Sequence, residues 1–269
     1  MLNVAVAIDR GHYSSPGGAT GTETISGTPE HKITAEIGGM LEKQLKGELF
    51  VFNLPRLPNP KEFPQYKRFT SIYDRLKHCA QMFDLVSPPI PIVLVSIHIN
   101  GSVENKAEPD YNKRTVRGTE VFYKPGEKKN QAASQELANK LLKSIVAYAQ
   151  NNWDSTWKER RVEIGGNGGL GLIILSKAPA TDPTKGGMKE VDFDTRFYGV
   201  LVEVGFGDHP KDSVLLDNPY FCWGVGVVMA RTIIRWARDL SSKLGLDRIM
   251  VNWRRIETEA AQMGLMIKY

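Results

Sequence analysis

PIVLVSI, residues 91–97, is a continuous apolar run rich in β-branched side chains, and His98 closes it. A strand with one wet face alternates apolar and polar residues, whereas a strand with no polar side is covered on both faces, as the strands of a parallel sheet are. VAVAI (4–8) has the same character. ELFVF (48–52) and GVLVEV (199–204) are further strand patterns, and TEVFY (119–123) and LIILS (172–176) bring the set to about six. Longer stretches with helical spacing separate them, at roughly 30–46, 69–84, 130–150 and 219–243. Strands alternating with helices predict an α/β fold: a mostly parallel, roughly six-stranded sheet flanked by helices on both faces.

The helix boundaries carry their own signals. Thr28-Pro29-Glu30 supplies an N-cap and a proline at the first helical position, so a helix starts there. The helix over 219–243 places Phe221, Trp223, Val227, Val228, Ile233 and Trp236 on nearly every face, which predicts burial against the sheet. Residues 53–67, 101–117 and 177–198 are rich in Pro, Asp, Asn and Lys and are expected as surface loops. After a turn at Lys243-Leu244-Gly245, Trp253, Ile256, Ala260, Met263 and Ile267 recur at helical spacing. Residues 1–243 are therefore expected as one domain and 244–269 as a short amphipathic C-terminal helical tail. The tail either packs on its own domain or forms a homodimer or partner contact.

Composition narrows the function classes. The chain of 269 residues is 41% hydrophobic and 24% charged, which excludes a disordered protein. Its two cysteines, Cys79 and Cys222, sit in partly apolar helical contexts and suggest buried thiols, not a disulfide framework. No apolar stretch approaches the ~18 residues of a membrane span. MLNVAVAIDRGH has no basic lead and no small-residue cleavage site, so it is expected to be a first strand and not a signal peptide, with synthesis in the cytoplasm. The net charge of +5 favours anionic partners. Nucleic acid is not among those expected, because the densest basic run, Lys158-Glu159-Arg160-Arg161, is diluted by acid and fits a solvated face.

Ligands of open α/β sheets gather at the carboxyl ends of the strands. His12 follows the first strand through Asp9-Arg10-Gly11, and His98 closes another. Glu30 stands in the first turn of the helix after strand one, where side chains lean towards the same edge. Singly, a strand-end histidine is more often structural, and a first-turn glutamate suits the helix dipole in any case. Together, two imidazoles and a carboxylate match the donor set of a catalytic zinc site with its fourth position open to water. Glu23 rivals Glu30 as the carboxylate, but only Glu30 leads directly into a helix. Glu203 interrupts the apolar run YGVLVEVGF (198–206), where an unpaired carboxylate costs several kcal/mol or neutralises itself, so a cationic group should face it. With a metal nearby, Glu203 is the candidate general base. Asp9 and Asn100 flank the histidines and are candidates to orient them.

At these residues the chain resembles the zinc-dependent N-acetylmuramoyl-L-alanine amidases of bacterial autolysins, sporulation hydrolases and phage lysins. Val6-Ala7-Ile8-Asp9-Arg10-Gly11-His12 resembles the family's opening strand and first zinc histidine, and Glu30 its zinc glutamate. Ile72 to Gln81, with Arg75 and Ala80, is similar to an arginine-containing helix before the third ligand. Val95-Ser96-Ile97-His98-Ile99-Asn100 resembles the second zinc histidine segment, and Gly118-Thr119-Glu120-Val121-Phe122-Tyr123 the strand after it. Leu201 to Phe206, followed by Pro210 and Asp212, resembles the segment of the catalytic glutamate. The resemblance spans roughly residues 3–240 and implies a Zn2+ cofactor, a peptidoglycan substrate, and hydrolysis of the bond between N-acetylmuramic acid and L-alanine with Glu203 as base. It departs from the family at Tyr13-Ser14-Ser15, where a glycine pair is usual, and in the long stretch Ala178–Arg196. A phage or prophage lysin, reaching the wall after release, is the role expected. The alternatives are a non-catalytic wall-binding module of the same fold and a zinc carboxypeptidase acting on the stem peptide.

Other signals are declined. Gly166-Asn167-Gly168-Gly169-Leu170-Gly171 has dinucleotide-binding spacing but opens no helix. His78 and Cys79 are adjacent on a helical pattern and point about 100° apart, so they make no nucleophile and base pair. His31 is turned from Glu30 for the same reason, and His209 is expected as an exposed loop histidine.

Overall fold

The computed structural model describes residues 2–12, 21–53, 90–124, 128–164 and 197–246. In chain order these form β1 (Ala5–Arg10), α1 (Glu30–Leu45), β2 (Phe50–Asn53), β3 (Ile92–Asn100) and the short helix α2 (Val103–Ala107). A 3-10 turn (Tyr111–Lys113), β4 (Thr119–Tyr123), α3 (Lys128–Asn152), β5 (Glu159–Ile164), β6 (Phe197–Phe206), α4 (Pro210–Leu216) and α5 (Pro219–Lys243) follow. The strands make one six-stranded sheet in the order β2-β1-β3-β6-β4-β5. Every neighbouring pair is parallel except β4 with β6, so the sheet is mostly parallel and flanked by helices, as its apolar runs predict.

The two runs without a polar face lie where that pattern requires, at the centre of the sheet. Val4, Val6 and Ile8 with Val93, Val95 and Ile97 pack into the main core beneath α1, α3 and α5, while Ala5, Ala7, Ile92 and Leu94 on the opposite face are buried as well. Helix α5 lies between α1 and α3. It touches the sheet layer through Trp236, edge-on to Tyr198 with ring centroids 5.6 Å apart, and through Phe221, 5.4 Å from Trp157. Its burial is one-sided, for Trp223 is 37% exposed, so the all-round apolar pattern overstated it. Pro219 stands at its first turn and Asn218 caps it, accepting from Tyr220 N at 3.0 Å.

Two details depart from the sequence expectation, and several expectations fall outside the described residues. The sixth described strand is β5, which no strand pattern announced, although the basic run in it is exposed as a solvated face should be. It is an edge strand whose outward residues are charged, and its pattern is polar because one side meets water. LIILS (172–176), the helix expected over 69–84 with Cys79, the Gly166–Gly171 loop, the stretch 178–196 and the tail beyond Leu246 lie outside the described residues. Helix α1 begins one residue later than its signal: Pro29 itself holds the N-cap position without a side-chain cap, and Glu30 is the first helical residue.

The stretch 101–117 is more ordered than a surface loop. Ser102 caps α2, accepting from Asn105 N, and Asp110 caps the 3-10 turn. Asp208 binds Ser102 N at 2.7 Å and Asn105 Nδ2 at 3.0 Å, and Arg114 Nη1 donates to its carbonyl at 2.6 Å. Arg117 is buried and reaches Asp212 at 2.9 Å and Asp154 at 2.7 Å, while Asp212 also accepts from Gly118 N and Phe206 N. These bonds tie the end of β6 and the start of α4 to β4, fixing the sheet edge where the candidate site sits. Among the described residues no helix is long and apolar enough to cross a membrane.

Candidate metal centre

His12, Glu30 and His98 come together at the carboxyl ends of β1 and β3, with one potential donor atom from each lying within 4.8 Å of the others. Glu30 is the anchor. Its Oε1 stands 2.9 Å from His98 Nδ1 and accepts from Ile99 N at 3.1 Å, and its Oε2 accepts from Thr22 N at 2.8 Å and lies 3.6 Å from His12 Nε2. A carboxylate buried to 1% exposure is tolerable only when its lone pairs are satisfied, and here two backbone amides hold it in one rotamer. Glu23, the rival carboxylate, is exposed and belongs to an isolated bridge with Pro29, outside the cluster.

The chain bends sharply to bring His12 in. His12 has φ of +52°, a left-handed conformation uncommon for a non-glycine residue, and Gly11 N donates to Ile97 O at 2.7 Å to dock the end of β1 on β3. Two glycines make room. A Cβ on Gly11 would stand 2.5 Å from His98 Nδ1, and one on Gly21, at φ +73°, would overlap Glu30 Oε2. The His12 and His98 rings meet edge to face with centroids 5.2 Å apart. Burial alone would lower the His98 pKa, but the Glu30 hydrogen bond and the charges of Glu203, Glu30 and Asp9 together raise it to about 9. Such a histidine, drawn to positive charge by surrounding carboxylates, fits a cation at the same place. Two imidazoles and a carboxylate, converging on one point and locked by backbone donors, also fit the donor chemistry of zinc.

Glu203 is the register partner of His98 across β3 and β6, and of Glu120 across β6 and β4. The cation sought for Glu203 is thus His98, but two acids oppose it. Burial pushes the Glu203 pKa up, the His98 charge pulls it down, and the Glu30 and Glu120 charges push it up again, to about 8. Its Oε2 is buried and has no hydrogen-bond partner among the described residues. A carboxyl held near neutrality and pointing an unpaired oxygen beside a metal-type cluster is equipped to take a proton and return it.

Asn100 does different work from that expected, whereas Asp9 acts on His98 through its charge. Asp9 accepts from Ser96 Oγ at 2.8 Å below His98, and Asn100 turns its amide to Glu120 Oε2 at 2.9 Å. His209 is buried at 5% exposure and not an exposed loop residue: its Nδ1 lies 3.7 Å from Asp212, and burial with the Arg117 charge lowers its pKa to about 4. Glu120, noted in the sequence only as part of a strand, is 1% exposed one strand from Glu203 and is paired by Arg160 and Arg161. The helix with Arg75 and the Tyr13-Ser14-Ser15 segment lie outside the described residues.

A mostly parallel α/β sheet carrying two histidines and a carboxylate at its carboxyl edge is a frame able to hold a catalytic metal. The family described as N-acetylmuramoyl-L-alanine amidase matches residues 6–234, and the chain belongs to that family. Solved structures agree on the fold. The amidase Ami1 from Mycobacterium smegmatis superposes with a TM-score of 0.57 at 18% identity, over 88% of this chain and 98% of that one. AmiC2 of Nostoc punctiforme gives 0.56 at 18% identity, covering 88% and 98%. The catalytic domain of CwlV from Bacillus (Paenibacillus) polymyxa var. colistinus gives 0.54 at 23%, covering 86% and 97%. No curated protein matches the sequence.

Proposed function

We propose that this chain hydrolyses the amide bond between N-acetylmuramic acid and L-alanine in peptidoglycan, with zinc held by His12, Glu30 and His98 and with Glu203 as general base. The observation that supports this reading most is the convergence of those three donors beside a buried, unpaired Glu203 oxygen, in a chain of the amidase family. Zinc bound there supplies a Lewis acid for the scissile carbonyl and makes water acidic enough to attack near neutral pH. Glu203 accepts the proton of the attacking water and delivers it to the departing alanine nitrogen. The group must be basic enough to take the proton and acidic enough to release it, and burial with the Glu30 and Glu120 charges pushes Glu203 upward, the direction that favours taking it. Glu30 keeps His12 and His98 in register through its two backbone hydrogen bonds. The products are a glycan with a lactyl carboxylate and a peptide with a free L-alanine amine.

The metal assignment is tested by stripping the protein with a chelator, restoring zinc, and repeating this with His12→Ala and His98→Ala. The expected result is one zinc per wild-type chain with activity returning in proportion, and loss of both in the variants. Full activity in the stripped protein overturns the assignment.

A further inference from the structure

β5 pairs with β4 through an irregularity. Thr119 stands opposite Glu159 and Glu120 opposite Arg161, so Arg160 is the extra residue of a bulge. A bulge brings two consecutive side chains towards one face instead of opposite faces. Both arginines accordingly reach the same carboxylate, Glu120 Oε1: Arg160 Nε at 2.5 Å and Arg161 Nε at 3.3 Å. The row across the sheet is then His98, Glu203, Glu120 and Arg161, with Arg160 folded over the Phe206 ring at 5.1 Å.

Counterion duty accounts for only part of this arrangement. Glu120 is already served by Arg161 and by Asn100 Nδ2 at 2.9 Å. Arg160 spends only Nε on it, its Nη1 and Nη2 make no hydrogen bond among the described residues, and its side chain is 31% exposed. Glu104, another acid on which the Arg160 charge acts, accepts from Ser102 Oγ at 2.5 Å. What remains is the end-on fork of a guanidinium fixed by a carboxylate and a ring, in the geometry that receives a second carboxylate through two parallel bonds.

We infer that Arg160 binds a carboxylate of the peptide part of the substrate and sets specificity for it. The inference rests on the amidase reading for the location of the scissile bond. Glu203 and Arg161 are two strand spacings apart, ~10 Å, and an extended peptide advances ~3.4 Å per residue. A carboxylate on the residue after L-alanine thus falls within reach of a side chain leaning back over Phe206. The sugar side of the bond is excluded as the source, because N-acetylmuramic acid has no carboxylate beyond the one in the scissile amide.

The test uses two muramyl tripeptide amides, N-acetylmuramoyl-L-alanyl-γ-D-glutamyl-L-lysinamide and its isoglutamine counterpart, which differ in a single carboxylate replaced by carboxamide. Zinc-loaded wild type is expected to favour the acid in kcat/KM by about 10- to 100-fold, the range for a charge-assisted forked contact. Arg160→Ala is expected to lose that preference, with the loss falling mainly on the acid, and Arg160→Lys to keep part of it. Arg160→Lys carries the test if Arg160→Ala does not fold. A wild type that cleaves both equally, or variants that lose activity equally on both, overturns the assignment while leaving the amidase reading intact. If the wild type cleaves neither, the amidase reading is decided on purified peptidoglycan. Calorimetric binding of the two tripeptides then decides on Arg160: tighter binding of the acid, abolished in Arg160→Ala, upholds it, and equal binding overturns it.

Discussion

Adding one methyl group at Gly21 tests whether His12 and Glu30 share a site. Gly21 has φ of +73°, and a Cβ there would overlap Glu30 Oε2 and stand 2.7 Å from His12 Cδ2. Alanine in this conformation costs about 1–2 kcal/mol of backbone strain. The overlap in addition forces the carboxylate, the imidazole or both to move. Gly27 separates the two effects, because its φ is +86° but a Cβ there meets nothing within 4 Å. Gly27→Ala carries strain alone. In a domain of this size the strain corresponds to a Tm loss of roughly 2–8 °C, expected in both variants. Zinc affinity is expected to fall by about 10- to 100-fold in Gly21→Ala only, the range seen when groups that hold ligands in place are disturbed. Titration of stripped protein with zinc against a chromophoric chelator measures the affinity, and a thermal scan of the stripped protein measures the strain. Wild-type zinc affinity in a Gly21→Ala protein whose Tm drops as in Gly27→Ala would refute the placement of these three residues at one centre.

Glu203 makes a prediction about stability as well as rate. Its folded pKa of about 8 lies above the ordinary 4.5, so between those values the unfolded chain is ionised while the folded one keeps the proton, and folding weakens as pH rises. In metal-stripped protein, Glu203→Gln is therefore expected to raise Tm more at pH 8 than at pH 5; an equal change at both contradicts it. Asp212→Asn removes the acceptor shared by Arg117, Gly118 N and Phe206 N. It is expected to destabilise by about 3 kcal/mol, as breaking a buried pair does, measured by denaturant titration, and a change below about 1 kcal/mol speaks against the clasp. Burial pushes the Cys222 thiol up to about 12. With Cys79 replaced by serine, the folded protein should resist a thiol reagent at pH 8 and react only on unfolding.

Sequence made the centre of the sheet legible because VAVAI and PIVLVSI have no polar face, and only a strand covered on both sides tolerates that. It left β5 illegible for the complementary reason. A charged edge strand has no apolar signature, and Glu159 to Arg161 look the same whether they are paired to β4 or free in water. His12, Glu30 and His98 were readable because each is a donor at a strand end or helix start, the places that fold topology brings to one edge. Glu203 stood out as a carboxylate in an apolar run, yet its surroundings did not: burial, with the charges of Glu30 and Glu120, raises its pKa against the pull of the expected cation, His98. Glu120 gave no signal of its own, since a charged residue beside Thr119 at the start of TEVFY is ordinary for a strand, and its importance comes from register with Glu203 and Arg161. His209 was misplaced because it stands as the N-cap of α4, its ring beside Asp212 three residues on and within the field of Arg117, which is far from it in sequence.

The central claim concerns one bond, and product analysis addresses it most directly. Zinc-loaded wild type and zinc-loaded Glu203→Gln are incubated with purified peptidoglycan, and new L-alanine amino termini, new reducing ends and released terminal amino acids are followed together. The account predicts L-alanine amines from the wild type with neither of the other two products, and a rate about 100- to 10,000-fold lower in the variant at unchanged metal content. Released terminal amino acids in place of L-alanine amines, or no cleavage by folded, metal-loaded protein, would contradict it.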